Sequence, residues 1–231
     1  MRISEIYASL QGEGLLAGTP STFVRTSGCN LRCVWCDTPF TSWRPEGREM
    51  GLAEVLDAVE RLTPRHVVVT GGEPLLFADV ADLSRELRRR DRHVTVETAG
   101  TVLPAAGAIF DLVSISPKLA SSAPAADTPG AWAARHEATR RRDDVLRELA
   151  ASGPHQFKFV VESDADLAEA LRWLDDLGTA VDRRRVFLMP QARTPEELAS
   201  RTAWLAGECR RHGVRLAPRH HITWYGGRRG T

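Results

Sequence analysis

The sequence predicts an α/β fold: short parallel strands joined by crossover helices and curled into an incomplete (β/α)6-type barrel, within one compact domain. Three observations lead there. Apolar, β-branched runs recur along the chain, helical stripes separate several of them, and no linker or internal repeat divides the 231 residues. The expected strands are Thr22–Ser27, His66–Thr70, His93–Glu97, Asp111–Ile115, Gln156–Val161 and Arg185–Met189, with a weaker one at Val214–Ala217. Leu52, Val55, Leu56, Val59 and Leu62 keep helical spacing. So do Val80, Leu83 and Leu87, then Leu167, Leu171, Leu174 and Leu177, and finally Leu198, Leu205 and Cys209. About six strand–helix units imply an open relative of the (β/α)8 barrel, whose sites lie at the C-terminal ends of the strands. One segment breaks the rhythm. Ala120–Gly130 is rich in Ala, Ser and Pro and reads as a long loop or lid, and Arg140–Arg142 reads as a solvated helix face, so residues 119–142 form a loop or lid insertion.

Composition narrows the function classes. The chain is 42% hydrophobic and 26% charged, with a formal net charge of +1, so bulk electrostatics does not argue for a nucleic-acid or membrane partner. No apolar run approaches the ~20 residues needed to span a bilayer, and the start Met1-Arg2-Ile3-Ser4-Glu5 lacks a signal-peptide core, so a cytoplasmic location is expected. Three of the four cysteines fall close together, which suits metal binding in a reducing compartment better than a disulfide scaffold.

Those three, Cys29, Cys33 and Cys36, follow the first expected strand with the spacing C-x3-C-x2-C. Three thiolates on one short loop can hold three corners of a [4Fe-4S] cube, leaving one iron open to an outside ligand. A structural zinc site is the rival, but its second ligand pair is missing; His220 and His221 lack zinc-like spacing. A redox role for the x2 pair is a further alternative. Cys209 lies on an apolar helical stripe and reads as a core thiol. A second motif, Thr70-Gly71-Gly72-Glu73-Pro74, stands at the end of the next strand. Its glycines permit close backbone approach to a ligand, and Glu73 can accept hydrogen bonds from an amine.

The cysteine spacing and the Gly-Gly-Glu turn resemble the radical S-adenosylmethionine (SAM) superfamily. The resemblance implies that the open iron chelates SAM, that the reduced cluster cleaves it, and that the resulting 5′-deoxyadenosyl radical takes hydrogen from substrate. Further motifs narrow it. Tyr7-Ala8-Ser9-Leu10-Gln11-Gly12-Glu13-Gly14, Phe23-Val24-Arg25 and Cys36-Asp37-Thr38 resemble the 7-carboxy-7-deazaguanine synthase family. So do Glu97-Thr98-Ala99-Gly100-Thr101, Ser114-Ile115-Ser116-Pro117-Lys118, Phe157-Lys158-Phe159-Val160, Leu188-Met189-Pro190 and His221-Ile222-Thr223-Trp224-Tyr225-Gly226. That family makes deazapurines by ring contraction of a carboxylated tetrahydropterin.

Position by position, the resemblance implies that Leu10, Gln11 and Gly12 line a pterin pocket, that Arg25 grips the substrate carboxylate, and that Thr70 and Glu97 touch substrate. It implies SAM contacts at Trp35, Cys36, Asp37, Gly72, Ser116, Pro117 and Lys118, and in the stretch after Pro190. Thr38 matches a Mg²⁺ ligand, and its hydroxyl is a hard donor suited to that ion. The chain's C-terminal end is a further candidate for substrate contact. A homodimer and an electron donor such as flavodoxin or ferredoxin are implied as partners. Two other functions compete: a glycyl-radical-enzyme activase acting on a protein, and a non-catalytic iron–sulfur carrier, which would normally have a fourth cysteine.

Overall fold

A computed structural model describes residues 1–231. Strand β1 (Arg2–Leu10) runs antiparallel to β2 (Pro20–Thr26). The cysteine loop follows, then α1 (Pro39–Ser42), the short β3 (Arg48–Glu49) and α2 (Leu52–Glu60). Next come β4 (His66–Gly71), α3 (Asp79–Arg89), β5 (His93–Thr98), β6 (Leu112–Ile115), α4 (Trp132–Arg140) and α5 (Asp143–Ala151). The chain ends with β7 (His155–Val161), α6 (Asp164–Leu177), β8 (Val186–Pro190), α7 (Pro195–His212), β9 (Arg215–Leu216) and α8 (His220–Tyr225). The single sheet has the order β3-β1-β2-β4-β5-β6-β7-β8-β9 and is parallel from β2 to β9. β3 and β9 are its edges, so the barrel stays open.

All seven expected strands are present, and the four helical stripes form α2, α3, α6 and α7. Two-residue periodicity assigns the strand faces. Val67, Val69, Val94, Val96, Val113 and Ile115 point outward into the main core, where Val55, Leu83, Leu146, Leu174 and Leu205 of the helices cover them. Burying each such side chain contributes about 1.5–3 kcal/mol, which makes this layer the main source of stability. Cys209 lies in the same layer at 4% exposure, a core thiol as expected. The alternate residues, among them Thr70, Thr95, Ser114, Gln156 and Lys158, are also buried but polar, and they face the barrel interior.

Three expectations need correction. The strand β1 was not expected, because Glu5 and Tyr7 face the interior cavity and break the apolar alternation. Residues 119–142 are not a free lid. They contain α4, whose His136 is fully buried and whose Arg140 is 8% exposed. Nor is Arg140 part of a solvated face: it ion-pairs with Glu137 and Glu169 and donates to the Lys118 carbonyl at 3.2 Å. Arg141 and Arg142 do behave as surface residues, pairing with Asp143, Asp176 and Asp144.

Candidate active site

The inner strand faces enclose a cavity of about 570 Å³, within the range typical of small-molecule sites. The three clustered thiols and a set of polar and charged side chains line it together.

The cysteine loop leaves the end of β2. Leu31, Cys33 and Ala99 pack together, with Cys29, Cys36 and Trp35 against them. None of the thiols is in a disulfide. Burial pushes the Cys29 thiol up to about 11 and Cys33 to about 12, with Lys118 opposing the shift. Such thiols stay protonated at neutral pH until a metal supplies positive charge, so the donor set fits an iron–sulfur cluster held by thiolates. Trp35 lines the cavity with its buried Nε1 unpartnered, and Lys118 Nζ stands 5.8 Å from its ring centroid. Lys118 also donates to Ser116 Oγ at 2.8 Å. Ser116 and Lys118 line the cavity; Pro117 between them is buried and does not.

The Gly71-Gly72-Glu73 turn works differently from the sequence expectation. A Cβ on Gly72 would crowd the Gly28 carbonyl and come within 2.8 Å of Cys29 Cβ. Gly71, at φ +144°, is pressed against Thr26. These glycines therefore let β4 pass close to the cysteine loop, and their backbone forms cavity wall only as a consequence. Glu73 is fully buried and does not reach the cavity. Its carboxyl accepts from Leu75 N–H (3.1 Å), Ala99 N–H (2.8 Å) and the Thr98 hydroxyl (2.8 Å), so it ties the end of β4 to the end of β5. Every oxygen an incoming amine would need is already engaged inside the protein.

Gln11, Arg25, Thr70 and Glu97 form another part of the lining. Arg25 pairs in register with Thr70, and Glu97 is one strand further on. The Thr70 hydroxyl donates to Glu97 Oε2 at 2.9 Å, and Gln11 Nε2 donates to Glu97 Oε1 at 3.2 Å. Arg25 is braced by Glu5 (Nε to Oε1, 2.7 Å) and by the Tyr7 hydroxyl (2.9 Å). Leu10 and Gly12 also line the cavity, and a Cβ on Gly12 would stand 2.7 Å from His221 Nδ1.

Beneath these residues lies a charged network that sequence reasoning left unassigned. Lys158 Nζ donates to Glu13 Oε2 at 2.9 Å and lies 3.5 Å from Glu97 Oε1. Arg219 Nε is 3.5 Å and His221 Nδ1 3.8 Å from Glu13 Oε1. Burial alone would raise the Glu13 pKa, but Lys158, His221 and Arg219 outweigh it and hold the carboxyl well below the usual range. Burial would likewise lower Lys158, but Glu13 and Glu97 outweigh it and raise its pKa. The signal was a lysine in the middle of the wholly buried strand HQFKFVV.

Asp37 and Thr38 continue from the cysteine loop into the cavity wall. Asp37 is 3.4 Å from Arg219 Nη2. The Thr38 hydroxyl lies 3.8 Å from Cys36 Sγ and 3.3 Å from Thr41 Oγ1, with no carboxylate of the chain bonded to it. As one neutral hard donor it fits Mg²⁺ only where substrate and water complete the shell. His220 and His221 lie on helix α8: His220 stacks on Trp224, while His221 faces the cavity. The tail 226–231 borders the cavity, and Arg229 anchors it through Glu5, Glu46 and the Phe40 ring.

A family model described as the radical SAM superfamily matches residues 23–174. A 7-carboxy-7-deazaguanine synthase from Rhodopirellula baltica is 44% identical over 230 residues, covering 99% of this chain and 88% of that protein. One from Halobacterium salinarum is 46% identical over 229 residues, covering 95% and 88%. Among solved structures, QueE from Escherichia coli shares the fold at a TM-score of 0.67 and 24% identity, over 94% of this chain and 92% of that one. Streptococcus suis SuiB bound to S-adenosylmethionine shares it at a TM-score of 0.54 and 13% identity, over 85% and 50%.

Proposed function

We propose that this chain, which belongs to the radical SAM superfamily and within it to the 7-carboxy-7-deazaguanine synthase family, converts 6-carboxy-5,6,7,8-tetrahydropterin to 7-carboxy-7-deazaguanine with release of ammonia. The observation that carries the reading is the cavity itself: the three thiols and Arg25, Thr70, Glu97 and Gln11 line one space, with Thr70 and Gln11 both hydrogen-bonded to Glu97 and Arg25 on the strand beside Thr70. A glycyl-radical activase needs access for a protein segment, and an electron carrier needs no such polar wall.

When bound, a [4Fe-4S] cluster and SAM supply the one-electron chemistry that starts the reaction. The residues of the chain do the rest. Cys29, Cys33 and Cys36 hold the cluster. Trp35, Cys36, Asp37, Gly72, Ser116 and Lys118 form the SAM side, and the Lys118 ammonium suits a carboxylate there. Arg25, held by Glu5 and Tyr7, presents its guanidinium to the substrate carboxylate. Glu97 accepts from the amine edge of the pterin, while Gln11, Thr70 and the backbone at Leu10 and Gly12 meet the rest of the ring. Fixing the ring between these groups orients the carbon that bears the carboxylate toward the cluster side. Thr38 would supply a hydroxyl ligand to Mg²⁺, which would neutralise charge on the substrate carboxylate. A flavodoxin or ferredoxin supplies the electron, the enzyme works in the cytoplasm, and it assembles as a homodimer.

The test is anaerobic reconstitution with iron and sulfide, followed by SAM, a reductant and the carboxylated tetrahydropterin, with product detected by mass. Loss of one ammonia from the substrate mass supports the reading; SAM cleavage with the pterin left intact contradicts it.

A further inference from the structure

We propose that His136 is a positioning residue for the iron–sulfur cluster, fixing the Cys33 part of the cysteine loop from outside the barrel; this rests on the cluster assigned above to Cys29, Cys33 and Cys36. His136 is fully buried on α4, in the segment whose sequence reads as a lid. Its two ring nitrogens have different partners. The Ser122 hydroxyl donates its one proton to the Leu119 carbonyl at 2.6 Å. Ser122 Oγ must then accept from His136 Nε2, 2.9 Å away. With the proton on Nε2, Nδ1 is a bare acceptor, and it receives the Arg32 N–H at 3.2 Å.

The same segment takes a second amide of the loop: Val34 N–H donates to the Ser122 carbonyl at 3.0 Å. Arg32 and Val34 flank Cys33. The Cys33 carbonyl between them accepts from Trp43 Nε1 at 2.9 Å and from Cys36 N–H at 3.2 Å. Cys33 is the most buried of the three thiols, so its placement depends on these backbone bonds. The brace is itself anchored. Arg140 ties α4 to Lys118 and Glu169, and the Trp132 ring lies 3.8 Å from the Arg32 guanidinium. An outer partner that orients a ligand in this way commonly controls how firmly a metal is held. It also limits solvent access to the cluster, one of the determinants of its potential.

The experiment compares His136→Asn, His136→Gln and His136→Ala with wild type, each reconstituted anaerobically without SAM or substrate. Iron and sulfide per chain, the midpoint potential and the rate of cluster bleaching in air are measured. An Asn amide can place its oxygen near the position of Nδ1, restoring the acceptor for Arg32. A Gln amide reaches the position of Nε2 and does not. The expected result is bleaching roughly tenfold or more faster in His136→Gln and His136→Ala, with His136→Asn close to wild type. Equal bleaching of the Asn and Gln variants, fast or slow, overturns the proposal, because the ring would then matter only as filler. Thermal melts of the apo variants check that the Asn and Gln proteins are equally folded. A wild type that takes up no cluster refutes the functional reading instead.

Discussion

The two sides of the cavity are built on opposite principles. On the cluster side, the thiols pack with Leu31 and Ala99, and burial pushes up the pKa values of Cys29 and Cys33, with Lys118 as the cation that opposes the shift. On the substrate side, each buried charge already has its partner: Glu13 with Lys158 and Arg219, Arg25 with Glu5. The first side is completed only when metal brings positive charge and displaces thiol protons. The second is organised in advance, and a ligand meets donors and acceptors already aimed. Losing a residue should therefore remove the cofactor on one side and weaken substrate affinity on the other.

The largest expected effect is on the cluster side. Replacing Cys29, Cys33 or Cys36 by Ala should abolish cluster binding and SAM cleavage, read by iron content and the visible spectrum. Cys209→Ser should keep both, with a modest fall in melting temperature because the thiol is buried. Loss of iron in Cys209→Ser would break the division between ligand and core thiols.

Next comes Arg25→Ala. Removing one partner of a desolvated charge pair costs about 2–5 kcal/mol, so KM for the pterin should rise steeply while SAM affinity stays near wild type. A change in SAM affinity alone would move Arg25 to the other side of the comparison. Thr38→Ala tests the seam between the sides. It should slow turnover and flatten the response to Mg²⁺ without altering cluster content, and Thr38→Ser should keep most activity. Identical Mg²⁺ titrations of wild type and Thr38→Ala would show the hydroxyl is not a ligand.

The smallest effect lies deeper in the barrel. Burial, and then His93, lowers the His66 pKa to about 4, and the ring is held between Ser21 and Thr95. The unfolded chain takes up this proton near the ordinary value of about 6.5, so it binds more protons than the folded chain below that pH. Stability from this site is complete above pH 6.5 and falls as pH drops toward 4. Denaturant midpoints measured across that window should fall less steeply in His66→Gln than in wild type.

The same contrast explains what was legible in the sequence. The parallel strands β2 and β4 to β9 could be read because apolar residues recur on their outward faces, and the cysteine loop because its spacing is local. β1 was illegible because its inward face carries Glu5 and Tyr7 for the cavity in place of apolar residues. The Glu13–Lys158–Arg219 network joins residues up to 206 positions apart, and no local pattern reports such a meeting. Glu73 shows the reverse error. Its motif drew attention to a carboxylate, but the fold spends that group on linking two strand ends. The stretch 119–142 was legible in part: Ala120–Gly130 is irregular as its composition suggested, but the buried Ser122, His136 and Arg140 that make the stretch a brace have no local signal.

The central claim is that the substrate wall holds a carboxylated tetrahydropterin with its carboxylate-bearing carbon toward the cluster. The most direct measurement is turnover of substrate deuterated at that carbon, with isotope analysis of the 5′-deoxyadenosine formed. The account predicts deuterium in 5′-deoxyadenosine together with the ring-contracted product. Ring-contracted product accompanied by unlabelled 5′-deoxyadenosine would contradict it.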